Sequence, residues 1–296
     1  MAKIPTEIPS MKLNDGTAIP MLGYGTGTAW YKSGNDGSID RKAVEGVKTA
    51  IKLGYYHLDG AEVYNTEREL GIGIKESQVP RERLFVTTKV MTNIKNIPKA
   101  IDMSLEKLQM DYVDLYLIHE PFFASSDKEL QNAWAAMESV KKSGKARSIG
   151  VSNYLKKHLT ATLATATIPP SINQIEYHPY LQHSDLLEYQ TTKAIAASAY
   201  GPLTAVTKAK PGPVDDVMAQ LAKKYYVSEG EIALRWVMDK GVVAVTTSRK
   251  EERLSDYLRA MTFTLTPREV KEISDAGAEK HYRGFWAAKF DKNDRS

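Results

Sequence analysis

Apolar positions along this chain fall into two alternating patterns. Short apolar runs rich in β-branched residues are separated by longer stretches in which apolar residues return every three or four positions. The first pattern reads as buried strands and the second as amphipathic helices. The chain opens with Met11-Lys12-Leu13-Asn14-Asp15-Gly16-Thr17-Ala18-Ile19, which alternates around an Asp-Gly turn and predicts a β-hairpin. Eight strand runs follow, at 21–27, 55–58, 84–88, 112–118, 147–151, 171–175, 194–199 and 242–246. Helical patterns cover 38–53, 67–77, 99–109, 126 to near 144, 155–166, 185–190, 214–225, 229–239 and 250–258, and Thr266-Pro267 opens one more. Helix starts of capping-box form are predicted at Thr66/Glu69, Ser248/Glu251 and Thr266/Glu269, with Ser126 and Glu129 at a further start. A Pro- and Gly-rich loop covers 201–213, and a tail carrying Tyr282, Phe285 and Trp286 ends the chain.

Alternating β and α elements predict a parallel sheet. Eight of them in a chain of 296 residues predict an α/β fold of the closed (β/α)8 TIM-barrel type, with the hairpin and the tail as additions. An open doubly wound sheet would want a Gly-rich fingerprint after its first strand. Gly23, Gly25 and Gly27 do not supply it, because Trp30-Tyr31 intervenes before any helix. They can let a backbone approach a ligand, and a flexible turn is the other reading. No composition break marks a linker, so 1–296 reads as one domain.

Composition removes several classes. Cysteine is absent, which excludes a disulfide framework, a thiolate metal site and a cysteine nucleophile. That suits a reducing compartment, and a cytoplasmic location without a bound metal is expected. Residues 1–20 hold no apolar core of signal-peptide type, and no run approaches the ~18 apolar residues of a membrane span. The net charge of +4 comes from bases spread beside acids, which reads as a mixed solvated surface rather than a nucleic-acid face. An anionic ligand stays open.

In such barrels working residues sit at the C-terminal ends of strands. The second, third and fourth strand runs lead into Asp59, Lys89 and His119, and Tyr64 lies on the loop beyond the first of these. Adjacent strands are about 4.8 Å apart, so the four side chains can meet. A buried lysine needs a partner, and Asp59 can be it. A nearby ammonium lowers the pKa of a phenol, which would make Tyr64 a proton donor to a developing alkoxide with His119 orienting the same oxygen. That machinery lacks a nucleophile for a carbonyl carbon, and a hydride donor would complete it. Each residue alone also has a structural reading: an ion pair, a core histidine, a tyrosine packed at a helix start. Lys89 as a Schiff-base nucleophile of a lyase or aldolase is a second reading, and a nucleotide-binding barrel without turnover a third.

Thr247-Ser248-Arg249-Lys250-Glu251-Glu252-Arg253 leaves the eighth strand and enters a helix. Free N–H groups and three cations there suit a phosphate, and in a nicotinamide cofactor the 2′-phosphate of NADPH. Basic side chains on a solvated helix start are the alternative. Tyr200 offers a flat face to a planar ring, or is a rim tyrosine; Ser152, Asn153 and Gln174 offer partners for a carboxamide.

The stretches His57-Leu58-Asp59-Gly60-Ala61-Glu62-Val63-Tyr64, Leu84-Phe85-Val86-Thr87-Thr88-Lys89, Asp114-Leu115-Tyr116-Leu117-Ile118-His119-Glu120-Pro121, Gly150-Val151-Ser152-Asn153, Asn173-Gln174-Ile175-Glu176-Tyr177-His178-Pro179 and Ala199-Tyr200-Gly201-Pro202-Leu203 come in an order and spacing that resemble the aldo-keto reductases over essentially the whole chain. Val245 to Glu251 and the tail Tyr282-Arg283-Gly284-Phe285-Trp286 look most like the fungal conjugated-polyketone and α-keto amide reductases. The resemblance implies a monomeric NADPH-dependent carbonyl reductase acting on aldehydes or activated ketones. It implies Tyr64 as general acid, Lys89 and Asp59 as its tuning pair, and His119 as the orienting residue. The cofactor would lie along Gly25, Thr26, Gly27, Asp59, Ser152, Asn153, Gln174, Tyr200, Gly201, Leu203, Thr247, Ser248, Arg249, Lys250 and Arg253. The substrate pocket would be walled by Trp30, Tyr31, Glu120, Phe122, Phe123, Phe285 and Trp286. Four positions depart from the family pattern: Gly60 replaces a usual threonine, Glu120 a tryptophan, Thr247 a lysine and Tyr257 an asparagine.

Overall fold

The computed structural model describes residues 7–34 and 37–296. Strands β1 (Ser10–Lys12) and β2 (Ala18–Pro20) form the hairpin, with Met11 opposite Ile19. Strands β3 (Leu22–Gly25), β4 (His57–Asp59), β5 (Phe85–Val90), β6 (Val113–Ile118), β7 (Ala146–Ser152), β8 (Ile172–Glu176), β9 (Ala196–Tyr200) and β10 (Val243–Thr246) pair in parallel in chain order, and β10 closes onto β3. The predicted (β/α)8 barrel is therefore present. Around it run α1 (Arg41–Leu53), α2 (Glu67–Ser77), α3 (Ile97–Leu108), α4 (Asp127–Lys142), α5 (Lys156–Leu163), α6 (Ser184–Thr192), α7 (Thr204–Thr207), α8 (Asp215–Tyr225), α9 (Glu229–Asp239), α10 (Glu251–Tyr257) and α11 (Pro267–Ala278). The short α7 lies inside the stretch expected to be only loop.

Strand periodicity sorts side chains into two apolar layers. Leu58, Val86, Val90, Tyr116, Ile118, Ile149 and Val151 face the helices in one continuous cluster. Phe85, Leu115, Leu117, Ile172 and Val243 point into the barrel. The hairpin adds Leu13 and Ile19 to that inner cluster, so it plugs the N-terminal end. Polar ties hold the plug: Ser148 Oγ donates to Thr17 Oγ1 at 2.9 Å and Asn14 Nδ2 to the Pro170 carbonyl at 2.9 Å. The inward parity set by Phe85 and by Leu115 and Leu117 carries upward to Thr87, Lys89 and His119, so the inner faces become polar toward the C-terminal mouth.

Two predicted capping boxes do not form. Thr66 precedes α2 as expected, but its hydroxyl donates to Thr26 instead of capping, at 3.3 Å to the carbonyl and 3.2 Å to Oγ1. Before α10, Ser248 Oγ accepts from Lys250 N at 3.0 Å and the helix begins only at Glu251. The Thr266/Glu269 box does form, and Ser126 caps α4 by accepting from Glu129 N.

Candidate active site

At the mouth of the barrel β4, β5 and β6 deliver Asp59, Lys89 and His119, and a 3-10 turn over Glu62–Tyr64 delivers the phenol. Lys89 is completely buried. Its ammonium donates to Asp59 Oδ1 at 2.5 Å and to the Gly60 carbonyl at 2.8 Å. It lies 5.1 Å from the centre of the Tyr64 ring. The His119 ring stands edge-on to Tyr64 with centroids 5.5 Å apart. Asp59 is held on its other oxygen by Gln174 Nε2 at 2.9 Å. The four residues expected to form one site are thus in contact.

Gly60 and Gly27 each answer a close approach. A Cβ on Gly60 would stand 3.0 Å from Leu70, while the backbone at 60 is already engaged, its N–H at Thr87 O and its carbonyl at Lys89. A side chain at 60 would therefore need Leu70 to shift by a few tenths of an ångström. A Cβ on Gly27 would stand 3.0 Å from the Tyr64 ring, so glycine there lets the phenol lie against the backbone.

Charge and burial set the protonation states. Burial alone would pull the Lys89 ammonium down; Asp59 and Tyr64, through charge and hydrogen bonding, outweigh it and hold Lys89 above its ordinary value. A lysine so held is a poor nucleophile, which argues against the Schiff-base reading. Burial pushes the Tyr64 phenol up, and Lys89 pulls against it without cancelling it. The expectation that Lys89 brings Tyr64 below an ordinary phenol is corrected: the lysine limits the rise. Burial, then Lys89, hold His119 well below its usual value, so its ring is neutral, with Nδ1 buried and lacking a protein partner.

Asp59, Tyr64 and His119, but not the fully buried Lys89, line a cavity of about 740 Å³, within the range of small-molecule sites. Of the residues expected to bind cofactor, Gly25, Gly27, Asn153, Gln174, Tyr200, Gly201, Leu203, Thr247 and Arg253 line it. Thr26, Ser152, Ser248, Arg249 and Lys250 do not. Thr26 Oγ1 donates to the Asp59 carbonyl at 3.2 Å. Ser152 sits behind, donating to the Gln174 carbonyl at 2.7 Å and accepting from Asn153 Nδ2 at 3.0 Å. Asn153 in turn receives the Tyr200 hydroxyl at 2.6 Å, which fixes that ring. Arg249 turns to the β3–α1 loop, where Nε donates to the Ala29 carbonyl at 2.7 Å and the guanidinium lies 5.3 Å from the Trp30 ring centre. Lys250 is exposed.

Of the expected substrate wall, Tyr31, Phe285 and Trp286 line the cavity. Trp30 is buried instead, its Nε1 donating to the Tyr24 hydroxyl at 2.6 Å. Glu120 is buried with its carboxylate bound to the Phe122 N–H and is not among the residues that line the cavity. Phe122 packs behind Trp286 at 5.5 Å, and Phe123 packs against the outer core. Sequence reasoning missed Val63, Met91 and Lys208, which also line the cavity, and Tyr257 lines it as well. Met91 follows β5 on a loop whose Met91 and Asn93 N–H groups Glu62 accepts at 3.0 and 3.3 Å; no local pattern announced that tie. Among the described residues no cluster of acids and histidines could hold a metal, and no helix is long and apolar enough to cross a membrane.

A parallel barrel with a buried ion pair beside a phenol at its C-terminal mouth has the layout of a barrel enzyme's site. Comparison with known proteins narrows this. Residues 22–278 match the Aldo/keto reductase family, and the chain belongs to that family. It is 42% identical over 273 residues to the NAD/NADP-dependent indole-3-acetaldehyde reductase of Schizosaccharomyces pombe, covering 91% of this chain and 96% of that protein. It is 38% identical over 289 residues to the NADPH-dependent alpha-keto amide reductase of Saccharomyces cerevisiae, covering 93% of each. Among solved structures, a Bombyx mori aldo-keto reductase in complex with NADP superposes with a TM-score of 0.82 at 34% identity, covering 91% of this chain and 92% of that one. The resemblance to the fungal α-keto amide reductases is thus supported.

Proposed function

We propose that this protein is an NADPH-dependent carbonyl reductase of aldehydes and activated ketones, such as α-diketones, α-keto lactones, α-keto amides and keto esters, with Tyr64 as general acid. The observation that carries this reading is the buried Lys89–Asp59 pair in contact with Tyr64 on the cavity floor. Tyr64 donates its proton to the carbonyl oxygen as that oxygen becomes an alkoxide. Lys89 stabilises the phenolate left behind, and Asp59 keeps Lys89 charged. Neutral His119 donates a hydrogen bond to the same oxygen and orients the carbonyl over the phenol. A bound reduced nicotinamide supplies the hydride.

The donor set fits such a cofactor. Asn153 and Gln174 offer amide partners for a carboxamide, with Tyr200 held beside them by its bond to Asn153. On the β10–α10 side Arg253 lines the cavity, and Thr247 Oγ1 is buried without a protein partner. A cation and an unused hydroxyl suit a phosphate oxygen. The seven-residue α10 lacks the expected capping box, so Arg253 and Thr247 carry the 2′-phosphate assignment more than the helix end does. Similarity to NADPH- and NADP-binding relatives agrees with this choice. A monomeric single barrel in the cytoplasm is the accompanying proposal, resting on the family resemblance and the cysteine-free composition; sedimentation of the purified chain tests the oligomeric state.

The direct test is cofactor oxidation, followed by loss of nicotinamide absorbance, against a panel of aldehydes, α-diketones, α-keto lactones, α-keto amides and β-keto esters. Turnover with none of them would remove the reading. Arg253→Ala is expected to raise the KM for NADPH about 10- to 100-fold, the scale of one hydrogen bond to a charged group. The KM for NADH should change far less. An equal loss with both cofactors would take Arg253 off the 2′-phosphate.

A further inference from the structure

One fully engaged carboxylate outside the proton-transfer unit belongs to Glu176, the last residue of β8. Strand parity turns it inward after Ile172 and Gln174, and it is 2% exposed. Its Oε1 accepts from Gly284 N at 2.7 Å and its Oε2 from Phe285 N at 3.0 Å. His178 Nε2 lies 3.0 Å from Oε1, and His183 Nε2 lies 2.8 Å from the Glu176 carbonyl. Both carboxylate oxygens are therefore committed to the tail at Gly284 and Phe285, directly before Trp286, and the rings of Phe285 and Trp286 line the cavity. The Phe285 ring meets Tyr200 edge-on at 5.2 Å, and Tyr200 pairs with Glu176 in register. Trp286, in a left-handed conformation with φ 56°, lies 6.4 Å from the His119 ring and 5.5 Å from Phe122. The tail is tied both to itself and to the barrel: an Arg283 guanidinium nitrogen donates to Ser296 O at 2.5 Å and the group stacks 3.8 Å from the Phe290 ring centre, while Tyr282 N donates to the Tyr180 carbonyl at 3.3 Å.

We infer that Glu176 is a positioning residue for substrate selection: it clamps the tail backbone and thereby sets where Phe285 and Trp286 stand over the reacting carbonyl. What the wall selects rests on the carbonyl-reductase reading; the clamp itself does not. Two backbone N–H groups converge on the two oxygens of one carboxylate, each oxygen taking one tail amide. A glutamine in its place has one oxygen and one N–H2 group, so one tail N–H must face a donor.

The test uses the full-length protein and Glu176→Gln. Hydrogen exchange at the amides of Gly284 and Phe285 is expected to accelerate at least about tenfold, while the barrel strands keep their protection. With NADPH present, the KM for a bulky aromatic α-keto ester should rise about tenfold, the scale of losing a packed apolar contact. The KM for a small dicarbonyl and for NADPH should stay within about twofold. In a Phe285→Ala/Trp286→Ala background the same change should add nothing further, because its effect runs through those rings. Unaltered tail exchange, or a full additional loss in the doubly truncated background, would overturn the inference. If the wild type reduces no carbonyl, the functional reading fails while the exchange result still decides the clamp. Should Glu176→Gln also lose barrel protection, Glu176→Asp, which keeps two acceptors on a shorter stem, is read in its place by the same exchange measurement, with loss of tail protection alone expected and unchanged protection overturning.

Discussion

Tyr64→Phe is expected to lower kcat for carbonyl reduction by about 10²–10⁴, the range set by a positioned general acid. The ring stays, and with it the contact to Gly27 and the edge-on packing on His119, so the cavity keeps its shape. Only the hydroxyl, and with it the transferable proton, is removed. NADPH affinity, measured by fluorescence titration, should be nearly unchanged, and retained turnover would sink the assignment. The same chemistry gives a pH prediction. Burial holds Tyr64 above an ordinary phenol and Lys89 limits that rise, so the donor form dominates at neutral pH. Chemistry-limited reduction should therefore fall only on the alkaline side, as the phenol loses its proton, and not between pH values near neutrality. His119, held neutral by burial and Lys89, adds no step there because it is already unprotonated.

Lys89→Met should be damaging twice over. It removes the cation that stabilises the phenolate, so turnover should fall at least as far as with Tyr64→Phe. It also leaves Asp59 buried without its ion partner, keeping only the Gln174 bond at 2.9 Å and whatever water can reach. Breaking one side of a buried pair costs about 3–5 kcal/mol. In a chain of this size that corresponds to a fall in Tm on the order of 10 °C. Adding Asp59→Asn should return much of the stability, since no uncompensated charge remains, and none of the turnover. Thermal melts of the single and double variants, each with its kcat, separate the two effects. If Lys89→Met melts like the wild type, the pair is not the buried unit described above.

Much of this was legible in the chain because it is local. The apolar runs at 84–88 and 112–118 mark two strands and put Lys89 and His119 at their ends, while barrel closure decides that these two face inward above Phe85 and Leu117. Three adjacent strands do the rest, since parallel neighbours are only about 4.8 Å apart. Helices α2 and α9 have the bounds read from the sequence pattern, 67–77 and 229–239, even though the cap expected at Thr66 does not form. The aromatic and basic residues were harder. Trp30 and Arg249 have the composition of a pocket wall and a phosphate ligand, yet one turns to Tyr24 and the other to Ala29 and Trp30.

The sequence by itself determined the order of elements, the barrel, and the strand-end acid, base, imidazole and phenol, because these follow from periodicity and from position on a strand. Tertiary structure alone decided which partner each polar group takes. Thr66 gives up its cap because Thr26 arrives from 40 residues away. Glu176 holds the substrate wall because Phe285 returns to it across 109 residues. A buried donor or acceptor must be satisfied by whatever the closed fold brings within about 3 Å, and no window along the chain contains that information.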